Sequence, residues 1–256
     1  MSRLDPRLLL QCYAAGIFPM ADSRHAAELF WVEPRNRAII PLDRFHMSRS
    51  LRRTIRSGCF HVTRDRDFAR AIAACADREE TWINQEIESA MLALHSSGHA
   101  HSIEVWHPGE SGQQLVGGVY GVRLGRAFFG ESMFSTMTDA SKVALAWLVA
   151  RLKVGGFTLL DCQFMTAHLA SLGAVSVPRD DYVALLSAAL GGGAAAGGGV
   201  GAATFAGSGL APAESPRGAG APPDFLALDR LLDATGVAGT PGPAGYVIAQ
   251  LLGHTS

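Results

Sequence analysis

Lysine is almost missing: only Lys142 and Lys153 occur in 256 residues, so the remaining basic charge is arginine. The four cysteines, Cys12, Cys59, Cys75 and Cys162, form no C-x-x-C pair and lie in no Cys/His cluster at ligand spacing. That argues against a zinc site or a disulfide framework and for free thiols in a reducing compartment. No run approaches 18 apolar residues, which argues against a membrane helix, and Met1-Ser2-Arg3-Leu4-Asp5-Pro6 lacks the apolar core of a signal peptide. A soluble cytoplasmic protein is expected. A G-x-x-x-x-G-K-[ST] phosphate loop is also missing, so nothing points to nucleotide hydrolysis.

What is present is a globular balance of 48% apolar and 18% charged residues. The net charge of -1 conceals polarity: residues 35–70 hold ten Arg against three Asp, +7, leaving -8 elsewhere. Arg49, Arg52, Arg53 and Arg56 recur at spacings of three and four within a helix expected between Ser48 and Gly58, which places them on one broad face. Such a stripe suits a phosphate backbone, because the planar guanidinium donates two hydrogen bonds at once. A solvated helix in an arginine-rich protein explains it equally well.

Asp5-Pro6 predicts a helix start and Gly16 its stop, and the stretch from Gly16 to about Pro41 reads as irregular. Thereafter the pattern predicts a strand at 59–63, helices at 67–76 and 84–96, and strands at 101–107, 115–124 and 126–134. A helix capped by Asp139 follows, then a strand at 157–163, a short helix to Leu172, a strand at 174–178 and a helix at 181–189. Strands bounded by helices in this order argue for an α/β (α+β) mixed sheet covered by helices. Residues 191–223 hold 11 Gly, 10 Ala and 4 Pro, the composition of a flexible linker. The tail 224–256 regains apolar periodicity, consistent with packing on the body or with disorder.

Polar residues inside apolar strands mark where chemistry could sit. In Leu159-Leu160-Asp161-Cys162-Gln163 an acid and an amide two residues apart share a sheet face if the strand is regular. An unpaired carboxylate there is costly, so Asp161 needs a cation or hydrogen bonds, unless it only caps the next helix. Glu131 interrupts Phe128-Phe129-Gly130-Glu131-Ser132-Met133-Phe134 just after a glycine, where a bulge can redirect a side chain; the alternative is an acid that pairs with an arginine. His99 and His101 lie on one strand face without an evident third ligand, so no metal is expected.

Together these fragments resemble a family. Leu10-Gln11-Cys12-Tyr13-Ala14-Ala15-Gly16-Ile17-Phe18-Pro19, Phe45-His46-Met47-Ser48-Arg49-Ser50-Leu51-Arg52-Arg53 and Thr81-Trp82-Ile83 come first. Gly98-His99-Ala100-His101-Ser102-Ile103-Glu104-Val105-Trp106, Leu115-Val116-Gly117-Gly118-Val119-Tyr120-Gly121 and Gly130-Glu131-Ser132-Met133-Phe134-Ser135 follow, then Asp161-Cys162-Gln163 and Ser171-Leu172-Gly173-Ala174. Over roughly residues 4–190 the chain closely resembles leucyl/phenylalanyl-tRNA–protein transferases. The resemblance implies a small N-terminal domain at 1–60 carrying part of the basic surface, an acetyltransferase-like catalytic domain at 61–190, the linker and the tail.

It also implies transfer of Leu or Phe from aminoacyl-tRNA onto the α-amine of proteins that begin with Arg or Lys, which marks them for N-degron degradation. The aminoacyl ester is already activated, so no cofactor is required. By motif position Asp161, Gln163 and Glu131 match the catalytic residues: Gln163 touches the attacking amine, Asp161 orients it or takes its proton, and Glu131 binds polar groups of the substrate. Trp82, Val119, Phe128, Met20 and Met133 match substrate-pocket positions. Met20 stands where many members carry Trp, implying a softer pocket that could admit Met as donor. Arg49, Arg52, Arg53 and Arg56 are the implied tRNA contacts. An acetyl-CoA-dependent acetyltransferase is disfavoured because Ser135-Thr136-Met137-Thr138-Asp139-Ala140 offers no glycine-rich turn for a pyrophosphate. A non-catalytic RNA-binding module leaves the three polar residues without purpose.

Overall fold

The structure is a computed structural model that describes residues 4–110, 112–191 and 221–253. Most of the Gly/Ala/Pro-rich segment expected over 191–223 lies outside the described residues. Helix α1 (Pro6–Ala14) starts on Asp5, whose side chain accepts from the Arg7 amide at 2.8 Å. The stretch to Pro41, expected to be irregular, instead holds three strands: β1 (Phe18–Met20), β2 (Phe30–Val32) and β3 (Asn36–Ile39). They escape a periodicity reading because each has only three or four residues, and β3 finds both of its partners more than 100 residues away. Then come α2 (Arg49–Ser57), capped by the Ser48 hydroxyl and ended by left-handed Gly58, β4 (His61–Arg64), α3 (Phe68–Ala76) and α4 (Gln85–Ser96).

The centre of the molecule is built by β5 (Ala100–Gly109), β6 (Gly112–Leu124), β7 (Ala127–Ser135), α5 (Ala140–Val154) and β8 (Leu159–Asp161). Asp139 occupies the N-cap position of α5 as expected, but it is left-handed and its side chain makes no cap bond, pairing with Lys142 at 2.9 Å instead. After α6 (Ala167–Ser171), β9 (Val175–Pro178) and α7 (Arg179–Ala189), the tail forms α8 (Ala227–Ala234) and α9 (Pro241–Leu251). Among the described residues seven strands make one mixed sheet in the order β4-β5-β6-β7-β8-β3-β9, while β1 and β2 form a separate hairpin. All pairings are antiparallel except β7 with β8, which run parallel for three residues. Among the described residues no helix is long and apolar enough to cross a membrane.

Each sheet face buries its own core. One holds Leu51 and Ile55 of α2, most of the apolar residues of α5, and Phe225, Leu228 and Ile248 of the tail. The other holds Leu9 and Tyr13 of α1, Ile72 of α3, Met91 of α4 and Tyr182 of α7. Phe225 stacks on Phe128 at 5.5 Å and on His101 at 4.2 Å, while Arg151 clasps the Phe225 carbonyl and Asp229.

Helix α9 lies so close to α2 that a Cβ at Gly245 would sit 2.0 Å from the Ile55 carbonyl oxygen. Gly245→Ala should therefore lower the thermal midpoint, since the overlap outweighs the roughly 1 kcal/mol of helix propensity that alanine brings. Gly242→Ala, with no atom nearer than 3.9 Å, should be neutral or stabilising, and paired thermal melts check both.

Candidate active site

The site starts from a buried ion pair between neighbouring strands. Arg37 on β3 is 1% exposed and Asp161 at the end of β8 is 0% exposed. Arg37 Nε donates to both carboxylate oxygens at 2.9 and 3.0 Å, and its Nη2 donates to Oδ2 at 2.7 Å. The rest of the fork is used too: Nη1 donates to the Gly16 carbonyl at 3.1 Å, and the guanidinium lies between the rings of Phe18 and Tyr182. Asp161 also accepts from the Tyr182 hydroxyl at 2.7 Å and from the Gln163 amide at 2.8 Å. Five hydrogen bonds leave its oxygens filled, as a buried carboxylate requires.

The expected regular strand over 157–163 stops at Asp161, so alternation does not place Gln163. Its φ of 61° is left-handed, a conformation that costs a non-glycine residue about 1–2 kcal/mol. The Asp161 bond to its amide and the 3.0 Å bond from the Ala38 amide to its carbonyl hold it there. The reversal carries the Gln163 side chain to Glu131, where Nε2 donates to Oε1 at 3.0 Å.

Glu131 reaches the same point through a bulge in β7. Gly121 pairs with Gly130 and Tyr120 with Ser132, so Glu131 is the extra residue between them. Two glycines make this possible: a Cβ at Gly121 would lie 2.1 Å from the Phe129 carbonyl, and one at Gly130 would crowd the Asp161 carbonyl at 3.3 Å. Glu131 is 6% exposed, and its Oε2 has no hydrogen-bond partner among the described residues. Burial pushes its carboxyl up to about 7, against the opposing pull of Tyr13, Gln163 and Arg37. The buried hydroxyls of Tyr13 and Tyr120 likewise lack a direct partner among the described residues, and burial together with Glu131 drives both well above the ordinary phenol value. Although Tyr13 lies near enough to influence Glu131, the two make no direct hydrogen bond of acceptable geometry.

The structure thus brings Asp161, Gln163 and Glu131 together. It divides the five pocket residues: Met20 and Trp82 pack on the Tyr13 side, Val119, Phe128 and Met133 on the α5 side. Val119 and Phe128 are sealed in the core, at 2% and 1% exposure. Of the five, Met133 lines an open cleft of about 430 Å³ beside the outer half of β7, with Leu115 and Phe134. On α2, Arg49, Arg53 and Arg56 face solvent and Arg52 is half-buried; Arg56 lies over the Tyr246 ring at 5.0 Å. His101 Nδ1 lies 2.8 Å from Asp65 Oδ2.

Sequence reasoning missed Arg37, Tyr182 and Tyr13. Arg37 was one of ten arginines in the basic block, and its only distinguishing signal was the apolar run Ala38-Ile39-Ile40 that follows it.

A family model described as leucyl/phenylalanyl-tRNA protein transferase matches residues 39–187, and a model of the N-terminal domain of the same transferase matches residues 2–35. The chain is 56% identical over 261 residues to a leucyl/phenylalanyl-tRNA–protein transferase of Rhizorhabdus wittichii, with all of both chains covered. It is 52% identical over 269 residues, again with full coverage, to one of Novosphingobium aromaticivorans. To one of Cereibacter sphaeroides it is 61% identical over 191 residues, covering 75% of this chain and 87% of the relative. Among solved structures, FemX overlaps with a TM-score of 0.43 at 11% identity, covering 67% of this chain and 66% of its own. L-PGS from Bacillus licheniformis gives 0.36 at 13%, covering 62% and 53%.

Proposed function

We propose, for a chain that belongs to the leucyl/phenylalanyl-tRNA–protein transferase family and so moves an aminoacyl group from tRNA to a protein, that Glu131 and Gln163 together receive the acceptor's α-amine. The donor is Leu-tRNA or Phe-tRNA, with Met-tRNA admitted through the softer Met20 position. The acceptor begins with Arg or Lys, the reaction runs in the cytoplasm, and its product is marked for N-degron degradation. One observation carries the assignment of roles. Gln163 Nε2 meets Glu131 Oε1 at 3.0 Å, while Oε2, on a carboxyl raised to about 7, has no hydrogen-bond partner among the described residues.

A proton acceptor poised near neutrality is the useful kind, because it is ionised often enough to act and basic enough to take a proton. The amine nitrogen attacks the ester carbonyl carbon, Glu131 takes the proton released from nitrogen, and the C–O bond to the ribose breaks. That proton then passes to the departing ribose oxygen, so no other reactant is consumed. Asp161 is poorly suited to be the base, since its oxygens are filled by Arg37, Tyr182 and the Gln163 amide. Its proposed role is positioning, exerted through the turn that aims Gln163. Met20, Trp82, Val119, Phe128 and Met133 remain proposed substrate contacts, with Met133 directly on the open cleft.

Incubation with Leu-tRNA or Phe-tRNA and an Arg-initiated peptide should yield peptide extended by one residue. No extension with either donor would remove the reading. For tRNA the α2 stripe is the proposed phosphate-binding surface. Charge reversal of Arg52 and Arg53 should weaken binding of different tRNAs alike and reduce the log–log salt slope by about 0.7–0.9 for each phosphate no longer neutralised. An unchanged slope in filter-binding titrations would remove the stripe from the interface.

A further inference from the structure

The sheet leaves one edge open beside the site, and we propose that the acceptor polypeptide binds there as an added strand along β7, with its α-amine delivered to Glu131. The inference rests on the transferase reading above and concerns how the same site takes its protein substrate. Strand β7 pairs with β6 along its length, but β8 reaches only Ala127, Phe128 and Phe129. From Glu131 to Ser135 no strand among the described residues occupies that side. The Met133 carbonyl points away from β6, because the Arg78 guanidinium takes it, with a second contact to the Ser132 hydroxyl at 3.3 Å. In an antiparallel pair the N–H and C=O of one residue point the same way, so the Met133 amide lies on the open edge too.

A cleft of about 430 Å³ lies along the outer part of this edge, lined by Met133, Phe134 and Ser135 together with Leu115, Asp77 and Arg78. At about 3.3 Å per residue, Glu131 to Ser135 spans about 13 Å, room for three or four extended acceptor residues. The charge of the rim favours a peptide over the tRNA end. Asp77 and Arg78 line the cleft, and the exposed Glu79 and Glu80 follow them in the chain, so the segment 77–80 carries a net charge of -2. Those groups repel phosphate and attract a chain that begins with a cation. Main-chain pairing also suits a transferase whose acceptors share only their first residue, because strand addition draws affinity from backbone groups and is indifferent to the side chains that follow. Arg78 must yield the Met133 carbonyl as the acceptor enters.

The test uses the native enzyme with Arg-initiated peptides in which the amides of residues 2, 3 and 4 are replaced one at a time by esters, each removing a single N–H donor. Alternate amides face a neighbouring strand, so adjacent positions should differ. The acceptor KM should rise about three- to tenfold at one position and less than twofold at the next, with the KM for aminoacyl-tRNA unchanged. Equal tolerance at all positions, or equal loss at adjacent ones, would overturn strand addition. Failure to extend the all-amide parent peptide would remove the transferase reading and this proposal with it. As a second arm, Asp77→Lys with Glu79→Lys should raise the acceptor KM at least fivefold and leave that for aminoacyl-tRNA unchanged. A change confined to the tRNA KM would assign the edge to the donor instead.

Discussion

Asp161→Asn should destabilise the protein by about 3–5 kcal/mol and reduce transfer at least a hundredfold, because it strands the Arg37 guanidinium, 1% exposed, beside a neutral amide. The loss has a defined anatomy. Arg37 would lose its counter-charge, the Tyr182 hydroxyl and the Gln163 amide would lose a charged acceptor, and the left-handed turn at Gln163 would lose the bond that offsets its strain. Denaturant unfolding measures the first effect and single-turnover transfer the second. Replacing both partners, Arg37→Met with Asp161→Leu, removes the buried charges together and should recover much of the stability, as it commonly does for buried pairs. Transfer should stay low in the double variant, because Gln163 remains unheld. Normal stability and full transfer in Asp161→Asn would refute the positioning role.

That pair also marks the limit of what the sequence made legible. Asp161, Gln163 and Glu131 stood out because a polar residue in an apolar strand is costly, and such a signal needs no knowledge of tertiary structure. Helices announced themselves through Asp5, Ser48 and the periodicity after them. The partner of Asp161 did not, because Arg37 lies 124 residues earlier in a four-residue strand, and pairing over that separation leaves no local trace. Local alternation also misplaced side chains wherever the backbone left the regular pleat. Gln163 shares a site with Glu131 through a left-handed turn rather than through strand parity. Phe128 and Met133, an odd number of residues apart, reach the same sheet face because the bulge at Glu131 shifts the parity between them. Asp139 stands at the N-cap of α5 as its position suggests, but it takes a positive φ and its side chain pairs with Lys142 rather than with the helix amides.

Glu131→Gln should lower kcat/KM by about a hundred- to ten-thousandfold, the range that a positioned proton acceptor contributes, while making the protein more stable above neutral pH. The two effects share one cause. The native carboxyl titrates near 7 against an ordinary 4.5, chiefly because burial disfavours its charged form. Between those values the native state holds a proton that the unfolded state has lost, so stability falls as pH rises through the window, by about 3 kcal/mol once pH exceeds 7. Glutamine has no proton to lose, so the variant's stability should stay level where that of the wild type declines. The rate profile gives an independent check, because kcat/KM reports the free enzyme and the free acceptor, whose α-amine titrates near 7.7–8.0. In the wild type both groups must be deprotonated: log kcat/KM should climb with slope two below about pH 7, with slope one to about 8, and then level off. The variant should keep only the slope-one limb set by the amine. A second ionisation near 7 persisting in Glu131→Gln would place the proton acceptor elsewhere, and a loss of stability above pH 7 would make Glu131 a structural carboxylate.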